Sequence, residues 1–247
     1  MKKYLLPLLL AAVSFSAAAQ TTAATASTPA PATQPAAAAP AGYAEMMAAT
    51  ITDLNSTGDP VRLREIAGRF ERAAAVAPAD WLPAYYQSYA LLLNCFQSKE
   101  DGDAKDRTLD QAEAALARAR QLRGEESELL VVQAYIYQAR LGISPMLRSM
   151  KYSGMVNETL ALAKKRNPAN PRIYLVQANN LYYTPKMFGG GSEVAKPIYD
   201  EAVVRYAAFR PRSPLMPTWG ERQLRGRLKS YEPKVPAAPA VTAAAAR

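Results

Sequence analysis

Between Tyr43 and Tyr231 the apolar residues return every three or four positions, and no stretch alternates strictly. That spacing gathers apolar side chains on one face of a helix, whereas a half-buried strand needs a period of two. The expected fold class is therefore all-α. Helices are expected over 43–55, 60–76, 80–97, 105–122, 126–141, 146–166, 171–183 and 193–209, with a short ninth after Trp219. Thr57-Gly58-Asp59-Pro60 combines turn residues with a proline suited to a first helical turn. Pro78, Gly124 and Pro168 each close a helix.

Those three closing residues also mark a repeat. Five and eight residues before them stand Ala73 and Phe70, Ala119 and Leu116, and Ala163 and Leu160. Ten and thirteen residues after them stand Ser88 and Leu91, Ala134 and Tyr137, and Ala178 and Leu181. A later helix carries Ala195, Tyr199 and Ala202 in the same style. Small and large residues thus recur at fixed offsets around three helix-turn-helix joints.

These offsets resemble the tetratricopeptide (TPR) motif, in which each repeat is an antiparallel pair of helices, A and B. The resemblance runs from about Tyr43 to Phe209 and implies antiparallel hairpins stacked as a short right-handed TPR-like superhelix. The spacing departs from the family: the joints lie 46 and 44 residues apart (124 − 78 and 168 − 124), against an ideal of about 34. The extra residues are expected in loops between A and B, around Lys99–Lys105 and Gly142–Met150. A second resemblance rests on Asn167-Pro-Ala-Asn-Pro-Arg172, Tyr182-Tyr-Thr-Pro-Lys-Met-Phe-Gly-Gly-Gly-Ser192 and Pro217-Thr-Trp-Gly220. They look like the C-terminal repeat of exported bacterial TPR-like proteins, a group that brings no defined activity with it.

The ends read differently from the middle. Lys2 and Lys3 precede an apolar run, Tyr4–Val13, and then Ser14–Ala19. A short positive region, a short apolar region and small residues at the end are the marks of a secretory signal. Residues 1–19 are therefore expected to be a signal peptide cleaved before Gln20, leaving no transmembrane segment. Residues 20–42 and 232–247 are rich in Ala, Thr and Pro and are expected to be a disordered leader and tail around a 43–231 repeat domain. The expected location is the periplasm, with secretion beyond it as the other possibility.

Composition limits the chemistry. The chain has no histidine, which removes Ser-His-Asp and Cys-His catalysis and histidine-based metal sites. Ser-x-x-Lys is absent. Glu125, Glu126 and Glu128, like Asp200 and Glu201, read as ordinary charges near helix starts. Gly189-Gly190-Gly191-Ser192 lacks the following Lys of a phosphate loop and reads as a tight connection, with Ser192 capping the next helix and Phe188 tucked beneath it. The acidic stretch Glu100–Asp106 lacks the EF-hand register and reads as a solvated loop. Cys95 is alone, so no internal disulfide is available, and a buried inert thiol is expected. The formal charge is +9, and +7 once the two signal lysines leave (28 − 21). These charges are scattered, so nucleic acid is not an expected partner. No enzyme activity, cofactor or metal is expected.

The remaining expectation is a binding surface. In TPR folds the A helices line the concave face. Counting from the joints places Tyr85, Tyr89, Tyr135, Gln138, Arg172, Asn179 and Tyr182 there. The competing reading makes these tyrosines core. The expected function is an exported adaptor that holds a protein or peptide of the cell envelope in a tyrosine-rich groove. The alternative is a small-ligand-binding accessory protein of an envelope transport system. The oligomeric state is left open.

Overall fold

The computed structural model describes residues 39–232, and the expected signal peptide, most of the leader and the tail lie outside them. From α2 to α7, each helix begins at a local signal. Asp59 accepts from the Val61 N–H (2.8 Å) ahead of Pro60, and opens α2 (Pro60–Val76) after α1 (Tyr43–Ser56). Asp80 accepts from the Leu82 N–H (2.9 Å) at the start of α3 (Leu82–Gln97). Asp101 accepts from the Ala104 N–H (2.8 Å) and opens α4 (Gly102–Gln121). Glu125 caps α5 (Glu126–Ile143), and Pro145 is the first residue of α6 (Pro145–Arg166). Asn170 caps α7 (Pro171–Tyr183), whose first residue is again a proline. These caps satisfy N–H groups that a helix start leaves without partners. A 3-10 turn (Lys186–Phe188), α8 (Ser192–Ala208), α9 (Glu221–Leu228) and a last 3-10 turn (Lys229–Tyr231) complete an all-α fold, with no strand among the described residues. None of the described helices is long and apolar enough to cross a membrane.

Two expectations need correction. Most of the residues that lengthen the repeat are helical, and only 98–101 and Ser144 remain as connections. The rest extend the helices themselves, so α4 has 20 residues and α6 has 22. Asp101 starts α4 three residues before the expected point, and Met146–Met150 contains nothing that breaks a helix. The acidic stretch Glu100–Asp106 is accordingly mostly the first turn of α4. Its Asp106 bonds Arg140 of α5 (3.2 Å) and Arg148 of α6 (2.8 Å) rather than standing in a solvated loop.

The second correction concerns Phe188, which is 72% exposed and tucked under nothing. The glycine run around it does form a tight connection. A Cβ on Gly190 would lie 2.2 Å from the Thr184 carbonyl oxygen, and Gly191 takes φ +109°. The Gly191 N–H donates to the Leu181 carbonyl (2.8 Å), which turns the chain back on α7. Gly191 rather than Ser192 precedes the first turn of α8, and Pro197 sits inside that helix.

Each helix packs on its successor, and α3, α5 and α7 also pack side by side as an inner row. The repeated small residues lie at the crossings: Ala73, Ala119, Ala163, Ser88, Ala134, Ala178, Ala195 and Ala202 are all buried, as are Phe70, Leu116 and Leu160. Small side chains let two helix backbones approach closely, and the large ones beside them fill the remaining space. Alternating direction puts the α3–α4, α5–α6 and α7–α8 turns at one end of the array. The turns after α4, α6 and α8 lie at the other.

Candidate functional site

The inner row does not face an open groove. Phe209–Tyr231 runs back along it, and Trp219 enters its middle, 4% exposed. The indole stacks on Tyr89 (centroids 4.3 Å, planes 19° apart) and lies 6.3 Å from the Tyr135 ring. Its Nε1–H donates to Tyr85 Oη (2.8 Å). Around it the Tyr86 hydroxyl donates to the Leu215 carbonyl (2.9 Å), Gln223 donates to Tyr135 Oη (2.7 Å), and the Tyr206 hydroxyl donates to the Trp219 carbonyl (3.0 Å). Gly220 (φ +106°) lies against that hydroxyl: a Cβ there would come within 2.0 Å of it. Every one of these bonds ties the segment to a buried polar atom, which is costly to leave unpaired.

Beneath Trp219 lies a buried ion pair. Glu128, at the start of α5, accepts two bonds from Arg172 of α7, one of them Nε–H to Oε2 at 2.8 Å. The same carboxylate accepts from Asn170 Nδ2 (2.9 Å) and from the Tyr85 hydroxyl (3.1 Å). The guanidinium lies 4.7 Å over the Phe209 ring and 5.8 Å over Trp219. Burial alone would lower the Arg172 pKa, but the adjacent carboxylate outweighs it and holds the group above its ordinary value. Next to the pair is a cavity of about 400 Å³, lined by Glu125, Phe209, Arg210, Arg212 and Met216 among others. Burial, and then the Glu128 charge, push the Glu125 carboxyl up.

The opposite end of the array carries a different surface. Tyr183 (70% exposed), Met187 (83%) and Phe188 stand out of the α7–α8 connection, and Met146, Leu147 and Met150 stand out of the first turns of α6. Behind them the Tyr182, Tyr199 and Tyr231 rings pack edge to face, with centroids 6.2–6.4 Å apart. Arg227 of α9 lies 4.2 Å over the Tyr182 ring, and its Nη2–H donates to the Tyr183 hydroxyl oxygen. Large apolar side chains left in the open at two connections are unusual for a surface that touches only water. Methionine and aromatic side chains together suit an apolar ligand of irregular or flat shape.

No family model matches the chain, and no curated protein matches it either. A solved structure, the HusA haemophore from Porphyromonas gingivalis, is 36% identical, with a TM-score of 0.69 over 77% of this chain and 94% of that one. The chain belongs to the HusA haemophore family.

The HusA-like fold gathers most of the residues that the sequence placed on a groove. Tyr85, Tyr89, Tyr135, Arg172 and Asn179 are all buried under the C-terminal segment. Asn179 joins Tyr135 and Tyr199 by hydrogen bonds (3.4 and 2.7 Å). Gln138 is half-buried and donates to the Val176 carbonyl (2.8 Å), and Tyr182 is half-buried in the far tyrosine cluster. Sequence reasoning left Trp219, Tyr183, Met187 and Arg227 without roles. The signal for the rim was present in Tyr183-Thr-Pro-Lys-Met-Phe188, where large apolar residues crowd a proline turn outside the helical period.

Burial also sets an alkaline limit on the fold. It raises the pKa of Tyr85, Tyr86, Tyr89, Tyr135, Tyr199 and Tyr206 above the ordinary value of 10.0. The folded chain holds these protons more tightly than the unfolded chain. Their contribution is therefore intact below the unfolded pKa and is lost as pH rises past about 10, at up to ~1.4 kcal/mol per pH unit for each group. We expect phenolate absorbance and loss of helical circular dichroism to change together in one steep step. Gradual phenol titration with helicity intact would contradict this burial.

Proposed function

We propose that this protein is an exported carrier of a small ligand, serving uptake across the cell envelope, and that the ligand is a flat tetrapyrrole of the haem class. The observation that carries the reading is the 36% identity to a haemophore over 94% of that protein's length. The work is carriage rather than catalysis, in the periplasm or at the cell surface. The helical array is read as degenerate TPR-like hairpins used to display a ligand site.

The site we assign is the rim of Tyr183, Met187 and Phe188 together with Met146, Leu147 and Met150. A porphyrin has two broad apolar faces and a carboxylate edge, so it needs apolar side chains in the open and a cation nearby. The rim supplies the first. Arg227 and the exposed Lys186 supply the second. The formal charge of +7 that remains once the two signal lysines leave (28 − 21) adds long-range attraction for an anionic ligand. The adaptor reading has less behind it, because the inner face of α3, α5 and α7 is filled by the chain's own Trp219.

Gallium protoporphyrin, a diamagnetic stand-in for ferric haem, tests the placement by amide chemical-shift mapping. The expected shifts fall on 145–150 and 183–191. Shifts confined to the inner face of α3, α5 and α7 would move the site to the Trp219 region. Absence of any shift would overturn the carrier reading itself.

A further inference from the structure

The turns after α4, α6 and α8 meet at the end of the array opposite the rim. Each contributes a residue, Glu125, Asn167 and Phe209 in turn, to the lining of the cavity of about 400 Å³ found there. That volume falls within the range of small-molecule sites, about 300–1,000 Å³. Half-buried Phe209 and Met216 give it an apolar wall. Its cations come from the returning segment. Residues 43–208 hold 20 basic and 19 acidic side chains, whereas 209–231 hold six and one. The charge expected to be scattered is therefore gathered on this segment, +5 (6 − 1) against +1 (20 − 19). Arg210 and Arg212 of the segment line the cavity. Other charges of the lining are matched, Glu128 by Arg172 and Arg205 by Glu201, but Arg210 and Arg212 have no such carboxylate among the described residues. Arg210 Nη1 donates to the Ala207 and Phe209 carbonyls (2.9 and 2.7 Å), which fixes the guanidinium and leaves Nε and Nη2 free. Asn167 Oδ1 accepts from the Ala169 N–H (3.1 Å), and its Nδ2 has no acceptor among the described residues. Glu125 is the opposing charge. It accepts from the Glu128 N–H (3.2 Å) as the cap of α5, and burial favours its protonated form.

We infer that this cavity is a second binding site, and that it takes a carboxylate carried on a small apolar body. The planar forks of Arg210 and Arg212 match the two oxygens of a carboxylate. Phe209 and Met216 cover the apolar part, and Asn167 Nδ2 adds a neutral donor. A doubly charged phosphate fits less well, because Glu125 and Glu128 stand in the same lining and repel it more strongly. A free organic acid and the C-terminus of a peptide share the chemistry that fits. The inference is independent of the haem-class reading, whose site lies at the other end of the array.

The test follows amide chemical shifts of the full chain with three probes: phenylacetate, acetyl-Leu-Phe with a free carboxylate, and the same dipeptide as its C-terminal amide. A free acid should shift resonances at 167–170 and 208–216. The amide should bind about tenfold more weakly, the scale of losing charge-assisted hydrogen bonds. Arg210→Gln combined with Arg212→Gln removes two exposed side chains, so helical circular dichroism should be kept while affinity for the acid falls by about tenfold. Tighter binding of phenylacetate identifies a free acid as the source, and tighter binding of the dipeptide identifies a peptide terminus. Gallium protoporphyrin at saturation should leave acid binding unchanged. No shift with either acid, equal binding of acid and amide, or an unaffected arginine variant overturns the inference and leaves the carrier reading standing. Displacement of the acid by the porphyrin also overturns it, because the cavity would then belong to the porphyrin site.

Discussion

Glu128→Ala should cost about 3–5 kcal/mol of stability, because it leaves the Arg172 guanidinium buried without its counter-charge. Arg172 is 1% exposed and cannot turn to solvent without displacing Trp219 and Phe209. The same substitution removes the acceptor of Asn170 and Tyr85. Urea denaturation followed by circular dichroism should show the midpoint falling with an unchanged slope. The expected rescue is diagnostic. Glu128→Leu combined with Arg172→Met replaces the pair by apolar groups and should recover most of the loss, since a buried pair gains little over well-packed hydrophobes. A single Glu128→Ala loss below 1 kcal/mol would mean that the pair is hydrated and this region open.

Trp219→Ala should cost a similar ~3–5 kcal/mol, the usual range for truncating a large buried aromatic. The indole fills the space between α3 and α5, and its Nε1–H is the only donor to Tyr85 Oη among the described residues. Its loss should also loosen Phe209–Tyr231, so that hydrogen exchange at Glu221–Leu228 rises more than at α2 or α4. The two substitutions meet through Tyr85 and Arg172, so their effects should not add. If Trp219→Ala left both stability and exchange untouched, the C-terminal segment would be a removable cover rather than part of the core. The inner face of α3, α5 and α7 would then return as a binding surface.

The balance of what could be read from sequence has a physical cause. Helix existence was legible because its determinants are local. Asp59-Pro60 and Asn170-Pro171 start helices through bonds two residues long, and Ala119 or Ala163 betrays a crossing by its fixed offset. The earlier start of α4 was missed because a cap at Asp101 outweighs polar composition, whereas α6 begins within one residue of its expected start. The closing of the inner face was illegible for a different reason. Trp219 meets Tyr85 across 134 residues, and nothing near either residue announces the other. Counting positions from the joints selected residues that do lie together, but it gave no information on what covers them. The rim was overlooked because exposure of Met187 and Phe188 breaks the rule that large apolar residues turn inward. Such breaches mark candidate binding surfaces more often than folding errors.

The measurement that tests the central claim most directly is an absorbance titration of ferric haem into the chain beginning at Gln20. A Phe188→Asp, Met187→Ser variant of equal helicity serves as the comparison. The carrier reading predicts saturation at one haem per chain with Kd below about 1 µM, equivalent to roughly 8 kcal/mol of binding free energy, and a marked loss of affinity in the variant. A titration that never saturates, or one that is identical for the two proteins, would contradict it.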